Sequence, residues 1–316
     1  MQVGTVHPMA RTFLIDTDTA SDDAVALLMA LRHPDVEVEA ITVVAGNVPL
    51  DLAVQNALYT RDLAGSHVPV YAGEALPRSG PQQLAHHVHG VDGMGDVGLE
   101  LHGREPAAGD AAEVLVEAIR ARPGELTLVT LGPLTNVARA LELAPDIASK
   151  LRSLVMMGGT SDAVGNVSPV AEYNIWADAE SAARVFGSGA PITMVGWDVS
   201  RKYAVFAPED ADELRALGPL GEFAVEIQRT RVEFALQHTK LAGFDLPDPI
   251  AMAVALDREV ATDVRRVHVA VERRGELTRG QTVVDHDSRF GAANADVVFA
   301  ASRERFLALL HDALRS

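Results

Sequence analysis

Four carboxylates stand within eight residues, Asp16, Asp18, Asp22 and Asp23 in the run DTDTASDD. They follow the apolar stretch Phe13-Leu14-Ile15 and precede a segment of helical period. Like charges at this spacing repel one another unless some are protonated or a cation sits among them, and carboxylate oxygens are the hard ligands that calcium and magnesium take. A structural reading competes, because an aspartate ahead of a helix commonly caps it. Capping accounts for one carboxylate and leaves three, so the spacing points to a metal site or a proton-transfer site.

Such a cluster needs a frame. Short apolar runs at 12–15, 39–44, 126–131, 153–157, 192–195 and 266–271 have the length of buried strands. Between them, 23–32, 49–64, 111–121, 134–144 and 179–186 repeat apolar residues at three and four, as crossover helices do. Further strands are expected at 281–284 and 296–300, and a closing helix at 303–314. The alternation predicts an α/β fold, a single domain over residues 1–316 with a mainly parallel central sheet flanked by helices and a Rossmann-like core. Two irregular stretches stand out: 73–110, rich in Gly, Pro and His, and 158–174. Both fall beyond the carboxyl ends of strands, where such sheets place ligands.

Composition narrows the partners. The 316 residues are 48% hydrophobic, enough for a large core, and carry a formal charge of −17, which sets no basic surface against nucleic acid. The absence of cysteine removes disulfides, thiolate metal sites and cysteine nucleophiles. No run of eighteen apolar residues predicts a membrane span, and the first sixteen residues show no apolar stretch of signal-peptide length. A cytoplasmic protein with a small-molecule substrate is expected.

Two hydrolase families own strand-end aspartate clusters. Asp16-Thr17-Asp18 followed by Thr19 resembles the opening motif of haloacid-dehalogenase-like phosphatases, whose first aspartate attacks phosphorus. That reading requires a downstream lysine with a strand and paired acids, and Lys150, Lys202 and Lys240 lack that setting. The fuller resemblance is to the inosine-uridine-preferring nucleoside hydrolases. It rests on DTDTASDD and on VVAGNV (43–48), HGVDGMG (89–95), LGPLTN (131–136), the long block MMGGTSDAVGNVSPVAEYNIWAD (156–178) and the weaker GQTVVD (280–285), in that family's order nearly end to end.

The resemblance implies a purine or pyrimidine nucleoside N-ribohydrolase, a hydrolase of N-glycosyl bonds acting in nucleoside catabolism and salvage, dependent on Ca2+ and assembled as a homodimer or homotetramer. It places calcium on Asp18, Asp23, the Leu131 carbonyl and Asp248, and makes Asp18 the base for a calcium-bound water. It assigns the ribose to Asp22, Asn47, Asn166, Glu172 and Asn174. Plainer readings stand beside these. Asn47 and Asn166 each follow a glycine, a routine turn signal. Asp248 lies between prolines, as a helix cap would. Tyr173 and Trp176 read as packing residues. Glu172 and Asn174, one residue apart, face the same way if their segment is extended.

One departure matters. Family members commonly carry histidine before the last calcium-binding aspartate, where it protonates the departing base, and this chain has Pro247. The resemblance leaves His89 as the catalytic histidine, with His86, His87 and His238 as other carriers of the proton. The loss also admits a protein that binds ribonucleosides without turnover. Residues 73–110 and 208–246 are expected to close over the ligand.

Overall fold

Along strand β1 (Arg11–Thr17) the side chains divide between two cores: Phe13 and Ile15 enter one, Leu14 the other. A strand covered on both faces has no use for polar alternation, which is why β1, β4 (Leu126–Thr130) and β5 (Ser153–Met157) are buried over almost every residue. The structure is a computed structural model that describes residues 10–79, 82–239, 241–287 and 289–315. The sequence start and Lys240, both read above, lie outside the described residues.

Nine strands form the main sheet. In addition to β1, β4 and β5 these are β2 (Val36–Val43), β3 (Val70–Ala72), β6 (Ile192–Val195), β9 (Ala261–Val271), β10 (Thr282–Asp285) and β11 (Ala295–Ala301), in the spatial order β10-β9-β11-β6-β5-β4-β1-β2-β3. From β3 to β11 neighbours run parallel, while β9 lies antiparallel to both β11 and β10. Strands β7 (Val205–Phe206) and β8 (Phe244–Asp245) pair separately. The chain steps outward from β1 to β3, then returns to β4 on the other side of β1. That reversal opens a crevice at the carboxyl ends of β1 and β4, the position at which open α/β sheets bind ligands.

Helices Ser21–Leu31, Leu50–Leu63, Pro247–Leu256 and Arg303–Leu314 cover one face, and Ala111–Ala121, Thr135–Leu143 and Ala179–Phe186 the other. The α/β layering and mainly parallel sheet are those expected from the alternation. Expectation fell short where periodicity is weak. The three-residue β3 was not anticipated, nor were the short helices between β6 and β9, including Trp197–Tyr203, Pro208–Arg215, Pro219–Glu226 and Arg229–Phe234. These pieces take their stability from packing on neighbours, a tertiary effect that a short window does not register.

The closing helix is fastened by Phe306, which is fully buried with its ring edge-on to Phe206 at 6.1 Å between centroids. Replacing Phe306 by alanine should cost about 3–5 kcal/mol in urea unfolding. A loss below about 1 kcal/mol would show that this helix contributes little to the core.

Candidate active site

Asp18 leaves the end of β1 between two glycines. A Cβ added to Gly46, after β2, would lie 2.1 Å from Asp18 Oδ2, and one added to Gly132, after β4, 2.7 Å from Oδ1. Glycine at both positions therefore lets two loops close against one carboxylate. The Asn47 backbone N–H donates to Asp18 Oδ2 at 2.7 Å, whereas Oδ1 is buried without a hydrogen-bond partner. Asp23 opens helix Ser21–Leu31: its Oδ1 accepts from Thr17 Oγ1 at 2.6 Å and its Oδ2 from the Ala20 N–H at 2.9 Å. Capping and site-building thus coexist in one residue. One oxygen each from Asp22, Asp23 and Asp248 lie within 4.8 Å of one another, all three residues buried. The Leu131 carbonyl accepts from Asn174 Nδ2 at 2.7 Å and keeps a second lone pair.

Asp16 does not join them. It shares the strand parity of Leu14, faces the opposite layer, and accepts from Thr42 Oγ1 at 2.6 Å and Asn136 Nδ2 at 2.8 Å. The four-carboxylate cluster of the sequence is, in space, Asp18, Asp22 and Asp23 joined by Asp248 from a helix 225 positions further on. The phosphatase reading loses its nucleophile by the same geometry, and Lys150 is spent on Asp146 at the surface.

A cavity of about 340 Å³ opens over this floor, lined among others by Asp22, Asn47, His89, Leu131, Asn166, Glu172, Asn174 and Asp248. All of the predicted substrate residues reach it. The route differs for two of them: Asn174 lies in helix Tyr173–Ala177, not in extended chain, and Glu172 caps that helix, accepting from the Asn174 and Ile175 N–H groups and from Gly159 N–H. The Glu172 carboxylate folds back over the first turn onto those N–H groups, and both residues still line the cavity. Asn166 Oδ1 accepts from the Tyr173 N–H at 2.9 Å, which folds the loop after β5 into place. Thr282, in the GQTVVD element, bonds both the N–H and the carbonyl of Thr160 and braces that loop from the far side. Tyr173, expected to pack, lines the cavity instead. Trp176 does pack, beneath Arg279 and against Gly280.

Burial governs the electrostatics. It raises Asp18 and Asp248 well above the ordinary carboxylate range, with the neighbouring aspartates adding to the shift. Burial and the charge of Asp22 push Asp23 and Glu172 up to about 7, and burial drives Asp16 to about 7 against its hydrogen bonds from Thr42 and Asn136. Groups held this way take a proton or a cation. The partner-free oxygens Asp18 Oδ1 and Asp22 Oδ1, with an all-oxygen donor set, fit a hard divalent ion. His89 moves the other way, to about 3, because burial opposes its charge; its Nδ1 lies 3.0 Å from Ser21 Oγ and 3.6 Å from Asp22 Oδ1.

Lining residues that went unforeseen include Trp197, Arg231, Phe234 and Asp245. Arg231 and Asp245 form a buried ion pair, and the Trp197 indole N–H donates to Asp245 at 2.9 Å. They come from the short helices and the β7–β8 pair, and no local pattern marks them. His87 lines the cavity rim, its ring edge-on to Phe234 at 5.3 Å.

A Rossmann-like sheet with a buried carboxylate cluster and convergent amides at its switch point defines an α/β protein with a polar ligand pocket beyond the carboxyl ends of its strands. The chain belongs to the inosine-uridine preferring nucleoside hydrolase family, whose sequence pattern matches residues 13–308. It is 37% identical over 313 residues to the pyrimidine-specific ribonucleoside hydrolase RihA of Shewanella sp. (strain ANA-3), covering 97% of this chain and 96% of that protein. Its fold is similar to that of the plant nucleoside hydrolase PpNRh1, with a TM-score of 0.89 and 31% identity over 97% and 99% of the two chains. A purine-preferring ribonucleoside hydrolase from Gardnerella vaginalis superposes equally well, at 0.89 and 30% identity over 96% and 98%. The chain is accordingly a ribonucleoside hydrolase acting on the N-glycosyl bond.

The raised carboxyls make a stability prediction. Asp16, Asp23 and Glu172 keep their protons in the folded chain up to about pH 7, where the unfolded chain has already lost them near pH 4. Between those values the folded state binds more protons, so its stability falls as pH rises through that window. With chelator, the melting temperature should drop from pH 5 to pH 7; with excess divalent cation the drop should be shallower, since ionised Asp23 is then paired. Equal slopes would mean that no cation engages these carboxylates.

Proposed function

We propose that the chain hydrolyses ribonucleosides to ribose and free base with calcium as its metal and Asp18 as the base that takes a proton from the attacking water. The observation that carries this reading is the buried, partner-free Asp18 Oδ1, on a carboxyl close enough to Asp22, Asp23 and Asp248 for their charges to act on one another. Asp18, Asp23, Asp248 and the Leu131 carbonyl would hold the ion. When bound there, calcium supplies positive charge that makes a neighbouring water more acidic and takes up sugar hydroxyls.

The chain's own residues do the rest. Asp18, hydrogen-bonded through Oδ2 to Asn47 N–H, is held in one orientation and accepts the water proton through the other oxygen. Asp22 and Asn174 bind ribose hydroxyls, with Asn47, Asn166 and Glu172 completing the sugar pocket. The net negative field of these groups favours the cationic character that the ribose acquires as the bond to the base breaks. At the base end, Pro247 has neither N–H nor titratable group to offer. His89 is neutral in its buried setting, so its contribution to the departing base is a hydrogen bond from an imidazole N–H, which stabilises charge without full protonation. Retention of Asp18, to which the family resemblance gives a catalytic as well as a metal-binding role, tells against a purely binding protein.

Ribose release should be measured from inosine, uridine, cytidine, adenosine and guanosine. Wild type should release it from at least one, Asp18→Asn should lower kcat by about two to four orders of magnitude, and chelation should abolish turnover until calcium is restored. Turnover that survives chelation would remove the metal from the mechanism, and tight binding without turnover would make the protein a binder.

A further inference from the structure

Asp22 is in an ambiguous position. The reading above gives it to the ribose, yet one of its oxygens lies within 4.8 Å of ligand atoms of both Asp23 and Asp248, so its placement would serve a cation as well. Something must decide between the two uses. Arg231, in helix Arg229–Phe234, is the only arginine or lysine among the described residues that line the cavity, and it is 8% exposed. Its Nη1 lies 2.9 Å from Asp22 Oδ2. Its Nη2 lies 3.4 Å from Asp245 Oδ1. Asp245 is itself fixed, because its Oδ2 accepts from Trp197 Nε1 at 2.9 Å and from Ser200 Oγ at 2.8 Å. The guanidinium therefore cannot swing away: a buried carboxylate, anchored by an indole and a hydroxyl, holds it from behind.

The two oxygens of Asp22 are left unequal by this arrangement. Oδ2 is paired with a buried cation, while Oδ1 is buried and has no hydrogen-bond partner. A bidentate grip on a metal would need both oxygens, and the guanidinium occupies one of them. Its positive charge beside the carboxylates also opposes accumulation of a second cation, leaving Asp18, Asp23 and Asp248 as the anionic set for one ion.

We propose that Arg231, braced by Asp245, Trp197 and Ser200, is a positioning residue that withholds Asp22 from the metal and holds its carboxylate for a ribose hydroxyl. This inference rests on the assignment of ribose to Asp22 in the proposed function. It predicts that Arg231 acts on sugar binding through Asp22 and on calcium affinity through its charge, two effects that a merely structural residue would not combine.

The test compares wild type, Asp22→Asn, Arg231→Gln and the double variant in KM for uridine and inosine and in calorimetric titration with calcium chloride. Arg231→Gln should raise KM about tenfold or more in the wild-type background, the scale of a lost buried ion pair, and by less than about twofold when Asp22 is already asparagine. It should also tighten calcium binding by about tenfold or more. If Arg231→Gln does not fold, Arg231→Lys keeps the charge but loses the fork and runs the same comparison in both backgrounds, with a smaller rise in KM that must again vanish without Asp22. An equal rise in KM in both backgrounds, or an unchanged calcium affinity on loss of the charge, overturns the proposal. Failure of the underlying reading has a separate signature. Wild type that binds no calcium sinks the metal assignment, and the KM coupling still decides the role of Arg231. In a chain that binds nucleosides without turnover, the calorimetric Kd takes the place of KM.

Discussion

Burying several carboxylates together is the constraint on which the rest of this molecule depends. Asp18, Asp22, Asp23 and Asp248 are all removed from water, and burial together with neighbouring carboxylates raises the cost of ionising Asp18, Asp23 and Asp248. Such a group persists only if the surrounding chain fixes its members rigidly enough that they cannot part and relax. The structure does so with backbone. Two glycine loops press on Asp18, the first turn of a helix holds Asp23, and the start of a wholly buried helix carries Asp248. The cluster is thus a strained charge centre built on stiff elements, which is the condition for a carboxylate to prefer a cation over a proton.

The sheet supplies the geometry for that rigidity. Reversal of strand order at β1 and β4 leaves the ends of these strands open side by side, and the loops after β1, β2, β4 and β5 all meet there. Each contributes a distinct kind of group: carboxylates after β1, an amide after β2, a carbonyl after β4, and an acid and two amides after β5. The result is a polar floor that suits a sugar, roofed by residues from 73–110 and 208–246 that bring rings and imidazoles to the base end.

That division has a chemical meaning. The floor is retained in every position that the family resemblance assigns, whereas the roof departs at Pro247 and carries instead Phe234, Trp197, His87 and the Arg231–Asp245 pair. Two of the relatives carry different base preferences in their names, one pyrimidine-specific and another purine-preferring. Under the proposed function the floor takes the ribose, which is common to all ribonucleosides, and the loops and short helices of the roof take the base, which varies.

Much of this was legible in the chain before any coordinates. Strand runs apolar on both faces, helices of regular period, and the ordered motif blocks were enough for the layered α/β architecture, the family and the floor of the site, because each is written in contiguous residues. Glycine pairs signalled turns, and the DTDTASDD run signalled buried charge. What contiguity does not carry, tertiary structure decided. Strand parity turned Asp16 away from its neighbours in sequence and toward Thr42 and Asn136. Packing made a helix of the segment containing Asn174. The fold brought Arg231 to Asp22 across more than two hundred residues of chain and Asp245 to Arg231 across 14, pairings with no local pattern because their partners come from separate elements. Local periodicity records which residues are buried; only the fold determines which buried charges meet.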